Sequence, residues 1–453
     1  MSSGAARNRY AFGLGTVGRD MLYTTVSLFL LVYLTEVLDL PDSTMWYMTG
    51  ALTVLRVFDA LNDPVMGLLV DNTRSRYGKF KPWIAIGGLV GGALTVLMFS
   101  DLGLRGGGYV ASFVIIYLAW DLAYGANDIA YWSMLPALSL DRRRREEIGS
   151  FAKICGSLGA YAVVVGIMPI TGAMGGGREA WLAFSVGVTV LSLAFVLFTL
   201  LGVKEERGLD KPRETTSLRE LFGVIFRNDQ LLCVAVAMGI FMIGYSTTTS
   251  LGVYFFKYAY KDEGMYPIFA AILGLSQLLA FVLFPSLARK LDRKRLHAGA
   301  TASMLLGYFL FALSPMSMIP IGAAGLLIFL GQAIIQMLML MFLADTVEYG
   351  QWKLGRRNES VTFSVQPLIN KLGAAVASGI TSAALILTGI NSAASPAEVG
   401  ASGVLGLKLA MLCFPLAMVS AAYLVIRKGY TLDAETHRRI VAELSARGEL
   451  PGS

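Results

Sequence analysis

Two aspartates one helical turn apart, Asp59 and Asp63, sit in an otherwise apolar stretch, LRVFDALNDP, with Asn62 between them. At i and i+4 the carboxylates share a helix face, and the Asn62 amide lies beside Asp59. Carboxylates that close cannot both stay ionised cheaply in a poorly solvated place unless a cation settles between them. The trio is therefore a candidate site for a proton or a monovalent cation such as Na⁺. Arg56, one turn before Asp59, offers the plainer reading of an internal salt bridge, but one arginine leaves Asp63 uncompensated. A second set, Asp121, Tyr124, Asp128 and Trp132, recurs at three- and four-residue steps and marks one helical stripe. A carboxylate beside an aromatic ring suits a sugar, because the ring stacks on the apolar face of a pyranose while the carboxylate accepts hydroxyl hydrogen bonds. An aromatic stripe alone is more often packing; Asp128 at depth on the same face tips the reading toward binding. Asp121 lies nearer the other end and is expected to be solvated. Arg19, Asp20, Lys153 and Lys371 complete the charged set.

The elements that carry these residues must cross a bilayer. Of 453 residues, 55% are hydrophobic and 15% charged, and the mean hydropathy is +0.61. Soluble proteins average about 25% charged residues, so a soluble enzyme is excluded. Hydropathy predicts twelve spans, at roughly 10–37, 43–70, 82–100, 108–138, 148–172, 179–203, 230–257, 264–288, 298–316, 319–344, 363–390 and 402–426. The net charge of +7 resides in loops between spans, which reads as a topology signal and not as a nucleic-acid surface. Cys155, Cys233 and Cys413 lie in apolar blocks without metal-ligand spacing. His297 and His437 fall outside the predicted spans, so a protonation switch has to use carboxylates. The glycine-rich GGLVGGA (87–93) lacks a phosphate-loop lysine and is expected to let helices pack closely.

Loop charges set the orientation. Arg74, Arg76, Lys79 and Lys81 follow the second span, DRRRREE the fourth and ARKLDRKRLH the eighth. The alternate loops are nearly free of Lys and Arg, so both termini are expected to face the cytoplasm. The longest charged connection divides the chain into an N-terminal six-helix bundle (1–203), a cytoplasmic middle loop (204–229), a C-terminal six-helix bundle (230–428) and a tail (429–453) expected to form a short helix. A faint repeat, RREEIGSF (144–151) against RRNESVTF (356–363), supports two pseudo-symmetric halves. A charge at mid-bilayer costs about 2.5–3.5 kcal/mol even on lenient scales. At 1.5 Å per residue, Asp20, Asp59, Asp63, Asp128, Lys153 and Lys371 all fall roughly 12–20 Å from the cytoplasmic ends of their helices. That slab is where secondary transporters place substrate and ion.

Around GLGTVGRD (13–20), RVFDALNDPVMG (56–67), TRSRYGKFKPW (73–83), YGANDIAYWSMLP (124–136), ADTVEYGQWKLGRRNES (344–360) and VQPLINK (365–371), the chain resembles the melibiose-permease group, the glycoside–pentoside–hexuronide:cation symporters of the major facilitator superfamily. The resemblance covers most of the chain in order. It implies an all-α membrane protein of the inner or cell membrane, with twelve transmembrane helices in the major facilitator fold. It also implies cation-coupled sugar symport by alternating access, with H⁺ or Na⁺ as coupling ion and no other cofactor. Asp59, Asn62 and Asp63 match the family's cation site, and Asp20, Asp128 and Trp132 its sugar site. Arg19 replaces a lysine, Lys153 replaces a sugar-site arginine, and Lys371 matches a lysine near the cation site. The family's cation-ligating threonine falls at Gly125, and a sugar-site tryptophan falls at Gln336. The expected partners are a small sugar, a monovalent cation and the lipid bilayer, with no nucleic acid, and the protein is expected to be a monomer. The competing readings are a facilitator or lysolipid-type carrier on the same scaffold, and a sugar sensor that does not transport.

Overall fold

In the computed structural model, the described residues are 3–38, 42–204, 223, 225–390 and 398–449. Within them, side chains are not described at 3–5, 35, 36, 42, 43, 45, 46, 49, 52–54, 56, 57, 59–61 and 263. The chain is almost wholly helical. Twelve long helices are described: α1 (Ser3–Val32), α2 (Asp42–Asp71), α3 (Lys81–Met98), α4 (Gly106–Leu138), α5 (Arg142–Ala173), α6 (Arg178–Gly202), α7 (Asp229–Tyr254), α8 (Tyr266–Lys290), α9 (Arg293–Leu313), α10 (Met318–Leu354), α11 (Glu359–Leu387) and α12 (Ala401–Gly429). A shorter helix, α13 (Ala434–Ala446), follows in the tail. Ten of the helices are long and apolar enough to cross a membrane. The other two, α1 and α2, have 30 residues each, or about 45 Å, and bear the charges at Arg19, Asp20 and Asp63.

The chain divides into two compact units. The first comprises Met1–Gly223 with Asn358–Ser364 and Ser445–Ser453, and the second comprises Val224–Arg357 with Val365–Leu444. Within the first, α1 packs on α5 and α6, α2 on α4, and α3 on α4 and α6. Within the second, α7 packs on α12, α8 on α10, and α9 on α10. The pairings of α1 with α6, α2 with α4 and α3 with α4 thus recur six helices later.

The repeat extends to single residues. At the end of α1 a π-helical turn, Tyr33–Val37, extends the helix, and at the end of α7 Phe255–Ala259 does the same. The first residue of each turn is a buried aromatic. Tyr33 lies 5.1 Å from the ring of Phe99, and Phe255 lies 5.1 Å from Phe311, each at the end of its unit's third helix. Eight residues before each turn a buried threonine bonds its own helix, Thr25 to the Met21 carbonyl and Thr247 to that of Ile243.

Close approach uses glycine where the sequence suggested it would. A Cβ at Gly87 would meet the Ala123 carbonyl at 2.6 Å, and one at Gly92 would meet Thr189 at 2.7 Å, so α3 can lie against α4 and α6 only without side chains there. The basic loops do more than report topology. Lys79 pairs with Asp71 at 3.0 Å and with Glu359, all three being residues of the first unit. Burial alone would lower the Lys79 pKa, but the two carboxylates outweigh it and raise the ammonium above its ordinary value. Lys81 donates to the Leu200 and Val203 carbonyls, closing the end of α6. Arg145 is fully buried and donates to the Ser139 carbonyl at 2.6 Å beyond α4.

Two expectations are corrected. His297 lies inside α9, buried and stacked on Tyr423 at 5.6 Å, because α9 begins several residues earlier than hydropathy suggested. Asp121 is buried, not solvated, beside the buried Trp120 on α4. In the tail, His437 on α13 lies 3.5 Å from Glu348 and 3.8 Å from Asp345, both buried on α10. Trp352 donates to Glu443 at 2.6 Å.

Candidate functional site

The site of the first unit grows from one contact between α1 and α4. The Arg19 guanidinium lies 2.7 Å from Asp128 and 3.2 Å from Asp20, so it ties the two carboxylates together. It also lies over two rings of α4, 4.6 Å from the centroid of Tyr131 and 5.3 Å from that of Trp132. A planar guanidinium can hold two carboxylates along its edge while its faces lie on rings. Tyr131 is held in turn by stacking on Phe12 at 4.3 Å and by donating to the Phe12 carbonyl. Arg19 itself is buried, while the side chains of Asp20 and Asp128 are 31% and 25% exposed. Partly open carboxylates in a membrane-spanning bundle face water, since facing hydrocarbon would cost several kcal/mol.

Lys153 brings a second cation from α5. Its ammonium sits 4.4 Å from the centroid of Trp132. Trp132 is therefore only 8% exposed, with cations over its ring. Tyr124 lies one turn from Asp128 and stacks on Trp120 at 5.3 Å and on Tyr23 at 5.0 Å. Close beside Asp20, α5 presents Gly156: a Cβ there would meet the Asp20 carboxylate, with Cγ at 3.1 Å and Oδ2 closer still. Neither Tyr23 nor Gly156 stood out in the sequence, although the i+3 step from Asp20 to Tyr23 was there to be read.

Of the cation candidates, Asp63 is 2% exposed and Asn62 is also buried. The side chains of Arg56 and Asp59 lie outside the described residues. Gly125 on α4 faces the remaining carboxylate, since a Cβ at that position would lie 3.9 Å from Asp63 Oδ1. A side-chain oxygen at 125 would thus reach the acidic pair's surroundings, and this chain has none there. Gln336 and Lys371 belong to the second unit. Gln336 Nε2 approaches Met242 Sδ at 4.0 Å. Counting back from the matched threonines, Met242 occupies in α7 the place of Asp20 in α1, and a Cβ at Gly373 would meet Met242 as one at Gly156 would meet Asp20. The second unit keeps this geometry and drops the charge.

The family described as MFS/sugar transport protein matches residues 11–434. The chain belongs to that family. Over 96% of its length it is 33% identical to a lactose permease of Lactobacillus delbrueckii subsp. bulgaricus, covering 72% of that protein. It is 32% identical to a raffinose carrier protein of Pediococcus pentosaceus, again over 96% of this chain and 71% of the relative. Among solved structures it is similar to a proton:xylose symporter of the major facilitator superfamily bound to 6-bromo-6-deoxy-D-glucose. There the TM-score is 0.66 with 14% identity, covering 97% of this chain and 99% of that one. The fold is that of the major facilitators, and the protein is a multi-pass integral membrane transporter of the cell membrane. Its family and neighbours are transporters and not enzymes.

Proposed function

We propose that this protein is a cation-coupled symporter of a glycoside, pentoside or hexuronide, working by alternating access. The observation that carries the reading is the Arg19 bridge between Asp20 and Asp128, at 3.2 and 2.7 Å, with both carboxylates still open to water. Each acid keeps acceptor capacity for sugar hydroxyls, because a carboxylate has about four lone-pair sites and Arg19 occupies only some of them. Lys153, Trp132 and Tyr124 surround the same place, and the roles of Gln336 in sugar binding and of Lys371 in coupling rest on the family resemblance alone. The coupling ion, H⁺ or Na⁺, occupies Asp59 and Asp63 with Asn62 beside them and relieves their repulsion. Gly125 favours the proton: Na⁺ needs several hard oxygen ligands, whereas a proton needs one carboxylate. The working partners are the sugar, the cation and the bilayer, and the protein acts as a monomer.

If coupling is thermodynamic, sugar and cation raise each other's affinity by the same factor. Sugar binding to the purified protein, measured with and without Na⁺ and across pH, tests this. Equal affinities under every condition would remove coupling and leave a facilitator.

A further inference from the structure

A site that stacks a sugar needs an aromatic face that is open, and Trp132 does not have one. Its ring is 8% exposed and lies beneath Lys153 and Arg19. One helical turn away the situation is reversed. Tyr23 is 46% exposed, although it sits three residues past Asp20 and four past Arg19, on the face of α1 that meets α4. Its ring lies 5.0 Å from that of Tyr124 and 6.5 Å from that of Trp120, at interplanar angles of 25° and 17°. Trp120 and Tyr124 are themselves nearly parallel, at 11°. Trp120 is buried and hydrogen-bonded through Nε1 to Thr95 Oγ1 at 3.0 Å, so it anchors the stack. The group is a stacked aromatic block whose exposed member lies one turn along α1 from Asp20 and stacks on Tyr124, one turn along α4 from Asp128.

Building on the sugar reading above, we propose that Tyr23, and not Trp132, is the ring-stacking platform of this site, and that the ligand is a pyranoside with an apolar C–H face. The rise from Asp20 to Tyr23 is about 4.5 Å, comparable to the width of a pyranose ring. One ring can therefore lay its C–H face on Tyr23 while hydroxyls on its edge reach Asp20 and Asp128. Tyr124 backs the platform and fixes its tilt. Lys153 and Arg19 use Trp132 as a cation-π seat, which holds the positive charges beside the acids without closing the platform.

The test uses the full-length protein in nanodiscs, with lactose and raffinose as probes and isothermal titration calorimetry as the readout. Tyr23→Phe keeps the ring and is expected to bind within about twofold of wild type. Tyr23→Leu and Tyr23→Ala are expected to bind about tenfold more weakly, the scale of one lost ring-stacking contact. Thermal unfolding should not change, because the side chain is half open. Tyr23→Ala binding as tightly as wild type, in a protein where Asp128→Asn abolishes binding, overturns this inference and leaves the sugar reading standing. A wild-type protein that binds neither these probes nor any other glycoside in a panel sinks the sugar reading, and this one with it.

Discussion

The closest approach at the site, between Gly156 and Asp20, gives a quantitative prediction. A methyl group at 156 would lie 3.1 Å from Asp20 Cγ and well inside 3.0 Å of Oδ2, closer than real Cβ contacts come. The carboxylate must retreat by roughly 1 Å, and misplacing a binding group by that much can cost on the order of 100-fold. The displaced atom is the end of a side chain, so the fold itself loses little. A rotamer shift costs about 0.5–1.5 kcal/mol, while replacing glycine by alanine in a helix returns about 1 kcal/mol. Gly156→Ala should therefore lower sugar affinity and uptake about 100-fold with the melting temperature nearly unchanged. Two neighbours on α5 supply controls. At Gly159 the obstacle is backbone, with the Val17 carbonyl carbon at 2.9 Å, so Gly159→Ala should lower stability. At Gly166 the nearest atom is the tip of Ile170 at 3.4 Å, so Gly166→Ala should change neither property. Uptake into reconstituted vesicles and calorimetric unfolding read the series. A Gly156→Ala protein that transports normally would refute the placement of Asp20 in the substrate site.

Further expectations concern ions and charge pairs. Gly125→Thr places a hydroxyl toward Asp63, and sugar uptake by the variant should depend on Na⁺ more steeply than uptake by the parent. Arg293 and Asp345 form a buried pair at 2.6 Å in the second unit; replacing either one alone by an apolar residue should cost about 3–5 kcal/mol in thermal unfolding, and replacing both should cost far less. Lys79→Met leaves Asp71 and Glu359 facing each other and should destabilise, with Glu359→Gln partly restoring the loss. Because the Lys79 pKa is raised, its contribution is complete below the ordinary lysine value of about 10.4. It is lost only as pH climbs past the raised value. Unfolding measured from about pH 6 to 9 should therefore show no change attributable to this cluster.

Charge in an apolar chain is what made the site readable. Placing a carboxylate in a bilayer is costly, so Asp20, Asp63 and Asp128 stood out, and the fold brings Asp20 and Asp128 to one guanidinium. Aromatic periodicity was less informative. It marked Tyr124 and Trp132 equally, yet which ring stays open depends on Lys153 from another helix. Gly156 was invisible for a similar reason, since a close approach leaves no pattern along its own helix. Hydropathy located the helices but not their ends: α10 continues to Leu354, well beyond the apolar run, because Asp345, Glu348 and Gln351 are buried against Arg293, Arg357 and the tail. The positive-inside count used Lys79, Lys81 and Arg145 only as topology signals, whereas each closes a helix end or a carboxylate cluster.

The π turns at Tyr33 and Phe255 carry a practical warning for residue-by-residue labelling. Each inserts an extra position into a ladder that otherwise advances about 100° per residue. A cysteine scan along α1 or α7 will show one accessibility phase up to the turn and lose it within the turn's 5 residues, where the helix ends. The same loss should appear in both halves, at numbers 222 apart, so a break in one scan foretells where the other will break.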